Sequence, residues 1–369
     1  MRILFLDQFS DLGGAQCCLL DLLPAILERG WTPRVALPGP GLLAEKLRAL
    51  RIPVEFTGFA PLHSGFKTLA DALRLGNNSL ALARRLDWEA DLVYVNGPRL
   101  LPAVALAKPY APVVFHAHSH LTKGYVSRVA GWAIRRTRAG VIANCESVAK
   151  PLRKYAPVDV VFNGVEEHAV SAAPPSRPPR IGVIGRIAPE KGQLEFVRAA
   201  RLLPECRFVI YGARLFSDPS YEERVRAEAA GLPVEFAGWR DDMRAVVASL
   251  DLIVVPSSGL EATTRVILEA FSAGKLVLAA AAGGIPEIVE DGVTGFLTPS
   301  NSPEELAAGI RRALSELPGP VGANARHAWE QHFRIGRFQH DVCRLLATKV
   351  RNRTAEINTN TAATTSVGG

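Results

Sequence analysis

Twice along its 369 residues the chain repeats one rhythm: a short apolar run, then a longer stretch with helical spacing. In the first block the runs are Ile3–Leu6, Thr32–Leu37, Leu92–Val95, Val113–His116, Val141–Ala143 and Asp159–Phe162, separated by stretches such as Gln16–Arg29 and Leu69–Leu86. Short runs read as strands and the long spacers as helices. Strands that alternate with helices predict a parallel sheet with helices on both faces, because parallel neighbours need a long crossover. The rhythm stops at Ser171–Pro179, where four prolines stand among Ser and Ala and read as a linker. It restarts at Arg180 with Ile181–Ile184, Arg207–Ile210, Val234–Phe236, Leu252–Val255, Leu276–Ala280 and Gly295–Leu297. The expectation is an α/β chain of two doubly wound, Rossmann-like domains, 1–170 and 180–334, joined by a linker at 171–179. The length suits two domains, and 48% hydrophobic residues suffice for two cores. Ligands of such domains bind at the carboxyl ends of the strands, so a site in a cleft between the domains is expected. Residues 354–369 are polar and without periodicity, and read as a disordered tail.

Charge is +7 overall and unevenly placed. Between residues 123 and 138 stand Lys123, Arg128, Arg135, Arg136 and Arg138 without an acid, interleaved with Tyr125, Val129, Trp132 and Ile134. This basic amphipathic stretch reads either as a surface helix or as a peripheral docking face for an anionic membrane or a lipid-linked acceptor. No stacking pattern or recognition motif accompanies it, so no nucleic-acid partner is expected. The five cysteines have no metal-like spacing, and their odd number favours a reducing, cytoplasmic setting. MRILFL is too short for a signal peptide, and no stretch approaches ~18 uncharged apolar residues, so no membrane span is expected.

Several constellations carry chemistry. Glu261 and Glu269 stand eight apart in SSGLEATTRVILEAFSAGKLVLAAAAGGIPEIVEDGVTGFL, the first in a loop and the second about one and a half turns into a helix that Thr263 or Thr264 could cap. If the interval is helical they are roughly 12 Å apart. The helix N-terminus between them attracts phosphate, so a carboxylate addresses each end of a ligand with a diphosphate middle. Gly185-Arg186-Ile187-Ala188-Pro189-Glu190-Lys191-Gly192 ends a strand with two cations that could neutralise a leaving diphosphate. Gly13 and Gly14 follow the first strand, either as an anion-friendly loop or as a tight turn needing positive φ. His116, His118 and His120 alternate at the end of another strand. Alternation puts them on one face, as a zinc site would require, but no Asp, Glu or Cys lies within five residues, and no metal is expected.

These segments closely resemble the GT4-type (group 1) retaining glycosyltransferases, which have the GT-B fold of two Rossmann-like domains facing across a cleft. The resemblance rests on the E-x7-E segment with its GGIPEIVEDGVTGFL tail, on G-R-x-x-x-x-K-G at Gly185–Gly192, on the Gly13–Gly14 loop and on the Asn163-Gly164-Val165 turn, and it covers nearly the whole chain. It implies that Glu261 lies near the donor sugar, that Glu269 binds the ribose, and that Arg186 and Lys191 hold the diphosphate. It also implies that Gly13 and Gly14 approach the diphosphate and that a strand-end histidine lines the sugar pocket, His118 by first choice and His116 by second. Gly212, Trp239 and Arg240 then border the base, and Thr263, Thr264, Arg265 and Val266 form the helix start at the donor. The family often has Phe-Gly where Thr263 and Thr264 stand, which leaves the shape of the phosphate pocket open. A last helix, at 335–350, is implied to cross back onto the first domain. The implied activity is retaining transfer from a nucleotide-sugar to a hydroxyl acceptor, without metal, in cell-surface polysaccharide or glycolipid synthesis at the inner face of the membrane. The alternatives are a catalytically silent GT-B partner subunit or sugar-binding module, a phosphorylase, or a nucleotide-sugar epimerase. An NAD dehydrogenase would need the G-x-G-x-x-G that this chain lacks.

Overall fold

A computed structural model of the chain describes residues 1–59, 69–121, 124–170, 175–214, 218–259 and 261–365. Lys123, part of the Pro-rich stretch (171–174), residues 60–68 and residues 366–369 lie outside them. Two compact units result: Met1–Val161 with Gly336–Gly369, and Phe162–Ile335.

The first unit contains β1 (Arg2–Leu6), α1 (Gly14–Glu28), β2 (Thr32–Leu37), α2 (Leu42–Ala49), β3 (Val54–Phe56), α3 (Leu69–Arg85), β4 (Leu92–Val95), α4 (Leu101–Ala107), β5 (Val113–Ala117), α5 (Gly124–Thr137), β6 (Gly140–Ala143), α6 (Glu146–Ala149) and β7 (Val158–Val160). Its strands pair in parallel in the order β3-β2-β1-β4-β5-β6-β7. The second unit contains β8 (Arg180–Ile184), α7 (Gln193–Ala200), β9 (Arg207–Tyr211), α8 (Pro219–Glu228), β10 (Val234–Gly238), α9 (Met243–Ala248), β11 (Leu252–Val255), α10 (Arg265–Ser272), β12 (Leu276–Ala280), β13 (Phe296–Thr298), α11 (Pro303–Ser315) and α12 (Val321–His332). Its sheet is again all parallel, in the order β10-β9-β8-β11-β12-β13. Each doubly wound sheet is covered on both faces, which explains why the strands read as continuous apolar runs. On β11, Leu252 and Val254 face one core while Ile253 and Val255 face the other.

The chain leaves the first unit at Val161, before the Pro-rich stretch, because the following residues pair within the second unit. Val165 N–H donates to the Phe333 carbonyl (3.0 Å), the Val165 carbonyl accepts from Ile335 N–H (3.1 Å), and the buried Trp329 indole donates to the same carbonyl (3.3 Å). The last helix, α13, spans Ile335–Thr365. Phe338, Val342 and Leu346, spaced four apart, lie with Cys343 in the first unit's core beside Phe5 and Leu19. Beyond residue 353, where a structureless tail is expected, the helix continues. No Gly or Pro stands between Arg337 and Thr365 to stop it, and once nucleated a helix adds residues at little cost.

In each sheet the strand order reverses at the centre, between β1 and β4 in the first and between β8 and β11 in the second. Loops leaving such neighbours run to opposite faces and leave a crevice at their carboxyl ends. Most of the residues picked out by the sequence stand at strand ends, several of them at these two points.

Candidate active site

In the second unit, β8 ends in Gly185-Arg186, and a short helical turn at Pro189–Lys191 leads into α7. Gln193 fixes this turn: its amide donates to the Arg186 carbonyl (2.8 Å) and accepts from Ala188 N–H (3.3 Å). Gly192 has φ +70°, and a Cβ there would lie 1.9 Å from the Pro256 carbonyl oxygen at the end of β11. Only glycine lets the turn approach β11 so closely. The loop after β11 returns the contact, Ser258 N–H donating to the Glu190 carbonyl at 2.9 Å. The two loops of the switch point are thereby fixed against each other.

That contact brings Lys191 Nζ to 2.6 Å from Glu261 Oε2, across 70 residues of sequence. Arg186 pairs with Glu190, and Arg265 Nε lies 3.6 Å from Glu269 Oε1. Each of the three cations therefore faces a carboxylate. Glu261 is held from behind by the GGIPE segment: its carbonyl accepts from Gly284 N–H at 2.8 Å, and Gly283 (φ +56°) sits directly against it. Glu269 is 8% exposed, and its carbonyl accepts from Ser272 Oγ (2.8 Å) and from the buried His168 Nδ1 (3.2 Å).

The threonines divide. Thr263 is buried and its hydroxyl accepts from Asn163 Nδ2 at 3.2 Å, which anchors the loop inward. Thr264 occupies the position before α10, with extended backbone and no side-chain capping bond. Arg265 and Val266 open the helix and are half-buried. Gly212, after β9, lies on the Gly185 carbonyl, where a Cβ would come within 1.9 Å. Trp239 and Arg240 follow β10 and are exposed, the indole donating to Asp241 Oδ1 at 3.2 Å.

The first unit carries a different network at its own switch point. Asp7, just past β1, is 1% exposed and accepts from Phe9 N–H (2.9 Å), Gln16 Nε2 (2.8 Å) and Asn96 Nδ2 (2.6 Å). Asn96 Nδ2 also donates to the Ala15 carbonyl (3.2 Å), so its amide oxygen is left facing His118 Nε2 at 2.7 Å. An amide oxygen only accepts, so His118 carries its proton on Nε2. Burial drives the His118 pKa down to about 3, and the ring is neutral. Its Nδ1 is buried without a hydrogen-bond partner among the described residues, so the ring must turn before either nitrogen meets a ligand hydroxyl. His116, the second choice for the sugar pocket, is 1% exposed. It bonds the Tyr94 hydroxyl and lies against the His118 ring (centroids 3.9 Å apart, planes tilted by 36°), buried in the first unit. His120 turns away to Ser147 Oγ (2.8 Å). Among the described residues no group of three or more His, Cys, Asp or Glu converges as a metal site. Gly13 and Gly14 do not use the positive φ of a tight turn. Gly13 is extended (φ −138°) before α1, and a Cβ at Gly14 would meet nothing within 4 Å, which leaves the loop face open.

Burial without a cation raises the Asp7 pKa from 3.8 to about 6. The folded protein then binds the Asp7 proton more tightly than the unfolded chain does. Asp7 therefore costs stability above about pH 6, and the cost vanishes as pH falls to about 4. Relative to the parent, Asp7→Asn is expected to gain roughly 2–3 kcal/mol between pH 4 and pH 7. Urea unfolding across that range checks it, and a constant difference would mean that Asp7 titrates normally.

Two doubly wound parallel-sheet units, the second with paired cations and carboxylates around a helix start, define a GT-B fold. Known proteins agree. The family profile "Glycosyl transferases group 1" matches residues 178–316, and "Glycosyltransferase Family 4" matches residues 12–168. The chain belongs to the GT4-type, group 1 glycosyltransferase family. Anabaena Alr3699/HepE, solved in complex with UDP and glucose, superposes with a TM-score of 0.79 at 27% identity, over 94% of this chain and 99% of that one. The 2-deoxystreptamine N-acetyl-D-glucosaminyltransferase of Streptomyces fradiae is 28% identical over 89% of this chain and 92% of its own length. Sulfoquinovosyl transferase SQD2 of Arabidopsis thaliana is 34% identical over 46% of this chain, which spans only 32% of that protein.

Proposed function

We propose that the chain is a retaining glycosyltransferase that moves a sugar from a nucleotide-diphosphate donor to a hydroxyl acceptor and needs no metal. The observation that carries this reading is the Lys191–Glu261 pair, set beside Arg186 where β8 and β11 end and followed by α10. A diphosphate offers these cations more negative charge than a carboxylate does, and its entry would release the carboxylates. Glu190, whose side chain is 52% exposed, turns to solvent. Glu261 becomes free to accept hydrogen bonds from sugar hydroxyls, and Glu269 accepts from the ribose. As the bond between C1 and the diphosphate oxygen breaks, Arg186, Lys191 and the positive end of α10 stabilise the growing charge. The acceptor oxygen bonds C1 from the face the diphosphate leaves, and its proton passes to a diphosphate oxygen. No carboxylate acts as nucleophile. In retaining glycosidases two carboxylates stand ~5 Å apart across the bond, whereas here Glu261 and Glu269 serve opposite ends of the donor.

HepE holds UDP and glucose, which supports a UDP-sugar as first choice of donor. The first unit's strand-end loops are read as the acceptor side, with His118 orienting a hydroxyl after its ring turns. The setting is cell-surface polysaccharide or glycolipid synthesis at the cytoplasmic face of a membrane. No described helix is long and apolar enough to cross one. Proton NMR of the product's anomeric centre tests the stereochemistry: an α-donor should give an α-linked product, and a β-product would refute retention.

A further inference from the structure

Helix α5 has two unlike faces. Ser127, Ala130, Gly131, Ala133 and Ile134 are buried. At 3.6 residues per turn, Tyr125, Arg128, Val129, Trp132, Arg135 and Arg136 fall on the other side within an arc of about 120°. Tyr125, Val129 and Trp132 are 48%, 38% and 45% exposed. Beside them opens a groove of about 530 Å³ lined by Arg128, Trp132, Arg135, Arg136 and Tyr155.

The groove is built from fixed parts. A Cβ at Gly131 would lie 2.2 Å from the Tyr155 ring, so that ring rests on the helix backbone, with its hydroxyl 3.1 Å from Ser127 Oγ. The Arg135 guanidinium lies over the ring and donates to the Lys154 carbonyl (2.7 Å), while Lys154 Nζ lies 4.8 Å from the ring centre. Arg136 lies over Trp132 and donates to the Ala105 carbonyl at 2.9 Å. These partners are neutral: they hold the guanidiniums without cancelling their charge. Arg128, Arg135 and Arg136 make no ion pair among the described residues, and no acid occurs from Leu121 to Cys145.

We infer that this face docks on an anionic lipid bilayer, with a lipid phosphate in the groove between Arg128 and Arg135, and with Tyr125, Val129 and Trp132 entering the headgroup layer. A free phosphate would account for the arginines but not for the apolar stripe on the same arc. An interfacial helix needs both. The inference is independent of the reaction proposed above.

The test is co-sedimentation of the full chain with phosphatidylglycerol or phosphatidylcholine vesicles. Arg135 and Arg136 also hold neighbouring backbone, so the variant is Arg128→Glu with Trp132→Ser, its fold checked by Tm. The protein should bind phosphatidylglycerol and not phosphatidylcholine, and raising salt from about 0.1 M to about 0.5 M should weaken binding several-fold. The variant should lose affinity by about 20-fold or more, since reversing one charge removes two steps of about fivefold each. Equal binding to both lipids, or unchanged binding by a folded variant, overturns the inference. So does release by inorganic phosphate beyond that caused by chloride at matched ionic strength, which would mark a site for a soluble anion.

Discussion

Lys191→Ala is expected to lower turnover by roughly 10²–10³-fold, the usual cost of removing one preorganised charge from a developing anion. Lys191 is held at the end of a glycine-dependent turn, with Nζ 2.6 Å from Glu261 Oε2. Deleting it takes away a cation meant for the leaving diphosphate. It also strands Glu261, whose side chain is only 17% exposed, without its ion-pair partner. The loss of the cation falls on chemistry, whereas the Glu261 pair is released on donor entry in any case, so kcat should drop further than donor affinity, and Lys191→Arg should restore part of the rate. Steady-state kinetics with varied donor at saturating acceptor measure this. A fall of less than tenfold in kcat would mean that Lys191 serves only to hold Glu261 in the resting protein.

Gly283→Ala should be the more damaging change to structure. The residue has φ +56°, and a Cβ would lie 1.8 Å from the Glu261 carbonyl oxygen and 2.8 Å from its carbonyl carbon. A left-handed non-glycine residue and an overpacked contact each cost of order 1–3 kcal/mol, so a loss of roughly 3 kcal/mol or more is expected. The strain is relieved only by moving Glu261, which breaks its 2.8 Å bond from Gly284 N–H. Donor binding should therefore fail even where the variant remains folded. Gly14→Ala is the contrasting control: its Cβ meets nothing within 4 Å, and stability should hold or rise by several tenths of a kcal/mol. Urea unfolding separates the two. Equal stabilities would show that the Gly283 contact relaxes without cost.

Both sheets were legible because strands buried on two faces read as uninterrupted apolar runs. β3 was not, since Val54–Phe56 is a three-residue edge strand with no fully buried residue. The point where the chain leaves the first unit was misplaced for a different reason. Pro-rich composition is visible in one dimension, but the pairing of Val165 with Phe333–Ile335 joins residues about 170 apart. The same limit applies to the site. The motifs marked Arg186, Lys191, Glu261 and Glu269, yet not which carboxylate each cation faces. Nothing local showed that Thr263 turns inward to Asn163, or that Asp7 and Asn96 fix the tautomer of His118. A signal did exist for those two: a polar residue ending an apolar run at a sheet's central reversal. It becomes readable only once the strand order is known. The alternation of the histidines did not show that they part company: His116 is covered by Tyr94 and Phe338, His118 bonds Asn96 and His120 bonds Ser147.

The central claim is that the second unit holds a nucleotide-sugar by built-in cations and by Glu269. Titration calorimetry of the parent and Glu269→Ala with UDP-, GDP- and ADP-sugars, in chelator and then with Mg²⁺, tests it most directly. Binding of one nucleotide family without metal, unchanged by Mg²⁺ and lost in Glu269→Ala, is the predicted result. Binding that requires Mg²⁺, or that survives unchanged in Glu269→Ala, would contradict the account.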